Sequence, residues 1–74
     1  MQRYDVALWL TPFSCWPDDV AFVDTDAASL AVVQLMRTSG LRRVFKAAVT
    51  APDGTHHRWW DMECSAGDAE REFA

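Results

Sequence analysis

The segment "APDGT", residues 51–55, limits the folds open to this chain more than any other. Proline sets φ for entry into a turn, and glycine supplies the positive φ needed to leave it. The segment stands between "RRVFKAAV" and "HHRWWDMEC", two runs with strand character. The three together read as an antiparallel hairpin. A two-residue Asp53-Gly54 turn would put Pro52 in the first ladder pair, where it has no N–H to donate. A four-residue loop from Pro52 to Thr55 avoids this. It pairs Ala51 with His56, Ala48 with Trp59, Ala47 with Trp60, Lys46 with Asp61 and Phe45 with Met62. Phe45, Ala47, Val49, Trp60 and Met62 then share one face, with Arg58 and Cys64. Lys46, Ala48, His57, Trp59, Asp61 and Glu63 share the other, and Lys46 faces Asp61 as a cross-strand ion pair. A slip of one residue would invert every side chain of the second strand.

Upstream, "RYDVALWL" alternates, with Tyr4, Val6, Leu8 and Leu10 on one side and Asp5, Ala7, Trp9 and Thr11 on the other. This predicts a strand. Two prolines in "TPFSCWPDD" make residues 12–19 a connection, and "VAFV" at 20–23 reads as a second strand. A helix is expected over 25–39 in "DTDAASLAVVQLMRTSG". Asp24, Thr25 and Asp26 offer N-cap oxygens, and Gly40 suits the position just past the C-terminus. Ala28, Val32, Leu35 and Met36 form one apolar stripe, with Leu30 on the opposite side.

These elements predict an α+β fold: a four-stranded, mainly antiparallel sheet with one helix on one face, in the order ββαββ. Residues 1–64 form the single domain, and residues 65–74 a tail that is frayed or makes a short helical turn. The expected core is Tyr4, Val6, Leu8, Leu10, Phe22, Val32, Leu35, Met36, Phe45, Val49, Trp60 and Met62. In that arrangement Trp60 is the costliest side chain to lose, since Trp→Ala in a core costs about 3–5 kcal/mol.

Composition narrows the functions. The chain has 74 residues, half of them apolar, enough for one core. Eleven acids against seven bases leave a net charge of −4. Nucleic-acid binders generally carry a basic excess, so direct nucleic-acid binding is not expected. An acidic face docking on a basic protein surface is compatible with this balance. Two cysteines, Cys15 and Cys64, make no disulfide framework, and no apolar run is long enough to span a bilayer. A cytoplasmic protein with reduced thiols is expected, a single Cys15–Cys64 bridge being the alternative.

Residues that carry chemistry are scattered. His56 and His57 point to opposite faces of a strand and cannot together hold one metal. A Cys15–His57–Asp61 trio can be written down, but nothing in the spacing brings Cys15 to the others. Three glycines form no phosphate cradle. Neither an enzyme nor a cofactor is expected. The Asp18/Asp19 and Asp24/Asp26 pairs read most simply as a solvated loop and as helix capping. Trp9 and Trp59 lie on the face away from the helix. Either the 12–19 connection or the tail, with Phe13, Trp16 or Phe73, folds over them, or they form a contact patch for a partner or a second copy.

The order of elements, with "VAFVDTDAASLAVVQLM" leading to "APDGTHHRWWDMEC", resembles that of small phage and mobile-element proteins that inhibit CRISPR–Cas complexes. The resemblance covers residues 3–64 and is one of plan and texture. It implies a non-enzymatic inhibitor that docks on a Cas subunit or effector complex, in a bacterial host cell, where guide or target nucleic acid would bind, often with carboxylates in place of phosphates. The partner-binding candidates are Trp9, Trp59, His57, Asp61, Glu63, Asp18, Asp19, Asp24 and Asp26. They follow from the strand and helix reading, not from a shared motif. A homodimeric accessory or regulatory module of a mobile element, toxin-neutralising or adaptor-like, is the alternative.

Overall fold

Strand β1 spans Gln2–Trp9, where the alternation of "RYDVALWL" places it. It lies inside the sheet rather than at its edge. The chain continues through β2 (Asp19–Thr25), α1 (Ala28–Thr38), β3 (Arg43–Thr50) and β4 (His56–Glu63). The structure is a computed structural model and describes residues 1–63. Cys64, any Cys15–Cys64 pairing and the expected 65–74 tail lie outside the described residues. The four strands form one antiparallel sheet in the order β2-β1-β3-β4, with α1 on one face, so the ββαββ plan holds.

The helix starts later than the acids at 24–26 suggest. β2 runs on to Thr25, so the N-cap falls at Ala27, which is extended and makes no side-chain cap hydrogen bond. Asp24 instead pairs with Arg3 at 3.3 Å and Asp26 with the N-terminal ammonium at 3.6 Å. Thr25 is buried and accepts a hydrogen bond from Gln34 Nε2 at 3.2 Å. The C-terminus ends as expected. Gly40 takes φ +71°, its N–H reaches the Arg37 carbonyl at 3.1 Å, and the Leu41 N–H reaches that of Met36 at 2.7 Å. This double closure is a Schellman motif, and Leu41 packs against the core as the motif favours.

The core lies between α1 and the helix-facing side of the sheet: Tyr4, Val6 and Leu8 of β1, Ala31, Val32, Val33, Leu35 and Met36 of α1, and Val44, Ala47 and Val49 of β3. Ala31 and Ala47, both fully buried, are the small members of this cluster. Leu10, Phe22, Phe45 and Trp60, all expected inside, are not part of it. Leu10 lies beyond the end of β1 and is exposed. Phe22 pairs with Asp5 on the face away from the helix, because β2 turns Ala21, Val23 and Thr25 inward instead.

The hairpin differs from expectation by one residue of register, with large effect. Its loop has three residues, Pro52 to Gly54, closed by the Ala51 N–H to the Thr55 carbonyl at 2.8 Å. The Gly54 N–H reaches the Ala51 carbonyl at 2.9 Å, and Gly54 has φ +90°. A turn followed by one left-handed glycine is the usual way to build a three-residue hairpin loop. Asp53 Oδ1 accepts the Thr55 N–H at 2.9 Å, a bond to the charged form that holds its carboxyl below the ordinary aspartate range. Thr50 therefore pairs with His56, Ala47 with Trp59 and Lys46 with Trp60. Trp59 and His57 turn toward the helix side, and Trp60 and Arg58 turn away. Lys46 does not meet Asp61, which lies 4.0 Å from Arg43 instead.

A second irregularity sits further along the hairpin. The pairing passes from Lys46–Trp60 to Val44–Met62 and skips Phe45 and Asp61, the latter at φ +52°. Both strands change facing there. Val44 and Met62 return to the core side, while Phe45 and Lys46, neighbours in sequence, both stand with Trp60 on the open side.

Candidate functional site: the open face of the sheet

α1 covers one side of the sheet, and the side chains of the other side can be followed row by row from the strand pairing. One row runs Phe22, Asp5, Thr50, His56. The next runs Val20, Ala7, Ala48, Arg58, and a third holds Trp9, Lys46 and Trp60. Phe22 is 69% exposed and Trp60 60% exposed. They stand at opposite edges of the sheet, on β2 and β4, so exposed apolar groups mark both ends of this one surface, and large apolar groups in solvent are the ordinary mark of a contact site.

The third row is the most organised. Lys46 Nζ sits 4.6 Å from the centre of the Trp9 ring and 5.3 Å from that of Trp60, an ammonium held between two indoles. Phe45 packs edge-on against Trp60 with ring centres 5.4 Å apart. The connection after β1 rises beside them, closed by the Asp18 N–H to the Leu8 carbonyl at 2.8 Å and by Asp18 Oδ2 accepting the Leu10 N–H at 2.8 Å. Between connection and sheet lies a cleft of about 210 Å³, lined by Trp9, Thr11, Pro12, Ser14, Cys15, Phe45, Lys46 and Trp60. Phe13 and Trp16, in the same connection, do not fold down over the indoles. They are 91% and 82% exposed.

The candidates chosen from sequence separate. Trp9 stands on the open face, half-buried beneath Lys46 and the connection. Trp59 does not. It packs against the edge of the core, its ring stacked on that of His57 at 5.8 Å. Glu63 pairs with Arg43 across the hairpin, and Asp61 also lies beside Arg43. Asp18 closes the connection, and Asp19 accepts a hydrogen bond from Ser39 Oγ. With Asp24 and Asp26 engaged as described, all four of these aspartates have local partners. Sequence reasoning missed Trp60, Phe45 and Phe22 as surface groups; it placed Lys46 on the open face, but opposite Asp61 rather than between Trp9 and Trp60. The parity of Trp60 is set by the loop length, that of Phe45 by the irregularity opposite Asp61, and that of Phe22 by which side of β2 faces the helix.

The Cys15–His57–Asp61 trio does not assemble. Cys15 borders the cleft on the open side, while His57 lies on the helix side. Among the described residues, no group of three or more His, Cys, Asp or Glu side chains could hold a metal ion, and no helix is long and apolar enough to cross a membrane. Comparison with known protein families, with curated proteins and with solved structures finds no match.

Proposed function

We propose that this chain is a non-enzymatic docking protein that acts by covering a surface of a protein partner with the open face of its sheet. One observation carries the reading: among the described residues, all but one of this small domain's aromatic side chains lie outside its buried core. Nine residues are aromatic, and Phe73 lies outside the described residues. Of the other eight, Tyr4 alone is buried. Aromatic side chains supply the largest burial energy per residue in a fold. A chain this short that leaves Trp16, Trp60, Phe13 and Phe22 in solvent gives up core stability for surface contact, and buried aromatics are the usual anchors of protein interfaces.

The partner we propose is a nucleic-acid-processing complex, as the resemblance to small anti-CRISPR proteins implies, with inhibition following from occlusion of its DNA- or RNA-binding surface. The acidic net charge favours a protein partner over direct nucleic-acid contact. The local engagement of Asp18, Asp19, Asp24 and Asp26 moves the weight from phosphate mimicry to apolar docking. The second reading, a homodimeric accessory module, is favoured by the same uncovered face, which a second copy could cover.

The test is target-DNA binding and cleavage by a panel of purified CRISPR effector complexes, with and without the chain. We expect one complex to be inhibited by the wild-type protein, and inhibition to be lost in a Phe22→Ser/Trp60→Ser double variant of unchanged fold. Equal inhibition by that variant, or no inhibition across the panel, overturns the reading. A solution mass twice that of the chain, lost in the same variant, favours the dimer.

A further inference from the structure

We infer that the cleft between Trp9, Phe45 and Trp60 receives an acidic side chain from the protein partner, set beside an aromatic or aliphatic one. The inference rests on the docking reading above and names the chemistry at its centre.

Lys46 is the only lysine in the chain, and it is half-buried on an inner strand. Arg3 and Arg43 each lie beside a carboxylate, Asp24 and Asp61. Among the described residues Lys46 has none. Its charge is held between two indole faces instead. Cation–π contact attracts an ammonium without neutralising it, so closing an apolar partner over the cleft would strand a desolvated cation. That is strongly unfavourable unless the partner brings a counter-charge. An arriving carboxylate turns this penalty into a charge-assisted hydrogen bond.

The other walls fit the same occupant. Thr11 and Ser14 add polar residues to the lining, and Phe45 packed edge-on with Trp60 offers an apolar seat. About 210 Å³ is less than the roughly 300–1,000 Å³ of small-molecule sites and suits one or two side chains. A strand of nucleic acid would also bring anions and flat rings, but as a polyanion it would meet a chain of net charge −4. An acidic side chain asks for only the one cation that lines the cleft.

The probes are blocked peptides carrying Glu-Phe and Glu-Leu, with Gln-Phe and Gln-Leu as neutral controls. Each is titrated into the full chain while the four indole N–H signals are followed by NMR. The Glu peptides should shift the Trp9 and Trp60 signals and leave Trp59 in place, binding about tenfold tighter than their Gln controls. Lys46→Met keeps the apolar stem and should erase the Glu-over-Gln preference while both peptides still shift Trp60, and Lys46→Arg should retain it. The inference is overturned if Glu and Gln peptides bind alike, if K46M keeps the preference, or if millimolar peptide moves neither indole. Tighter binding of a single-stranded oligonucleotide at the same indoles overturns it as well. Its failure is distinct from failure of the docking reading: inhibition lost in the Phe22→Ser/Trp60→Ser variant but unaffected by Lys46→Met leaves docking in place and removes only the acidic contact.

Discussion

Trp59 and Trp60 are adjacent, chemically identical, and opposite in what they do. Trp59 leans on the core cluster and stacks on His57, while Trp60 meets solvent and Phe45. A three-residue loop in place of a four-residue one is enough to exchange them, because strand parity carries the loop's error into every later position. The costs of losing them follow. Trp60→Ala gives up chiefly an edge-on aromatic pair, worth about 1 kcal/mol. Trp59→Ala removes partly buried surface and should cost about 2 kcal/mol, below the 3–5 kcal/mol of a fully buried indole. Urea unfolding followed by circular dichroism should rank the variants with W59A the less stable. The reverse order would restore the register expected from sequence. Nothing at position 59 or 60 distinguishes the two indoles by itself; the information sits in Gly54, whose φ of +90° makes it the third loop residue.

Element by element, what could be read from sequence tracks how many independent signals each segment carries. β1 keeps its charged residues Arg3 and Asp5 on one side and an unbroken apolar set on the other, so the inward Tyr4, Val6 and Leu8 were legible. β2 has apolar residues on both sides, and periodicity alone could not choose Ala21 and Val23 over Val20 and Phe22. The end of α1 was legible because glycine has one role there, whereas its start was not, since acids at a strand end imitate caps. The paired irregularity at Phe45 and Asp61 left no compositional trace. It can be known only once both strands are in place, and the candidate site depends on it, because it sets Phe45 and Lys46 side by side. The missing cap makes its own prediction. Ala27 already has the extended backbone of an N-cap, φ −148° and ψ 151°, and lacks only an acceptor. Ala27→Ser should raise stability by about 1 kcal/mol, seen as a higher urea midpoint with an unchanged slope. No gain would mean that the first turn is held by other contacts.

At the scale of the whole molecule the described residues form a thin slab, 33 × 30 × 17 Å, with one helix behind a sheet and four aromatic groups, Trp9, Phe22, Phe45 and Trp60, in front. That layout bears on how the chain would look to a spectrometer. Indole emission reports polarity, and here Trp16 and Trp60 are exposed while Trp9 and Trp59 are half-buried, so none lies in a fully apolar setting. The native protein should fluoresce almost as its unfolded chain does, and denaturation followed by emission wavelength should show little transition where circular dichroism shows a full one. A strongly blue-shifted native spectrum would contradict this arrangement of the indoles. The optical contrast that most small proteins gain on folding is here held in reserve for the moment another surface closes over the sheet, so a blue shift becomes a label-free signal of encounter.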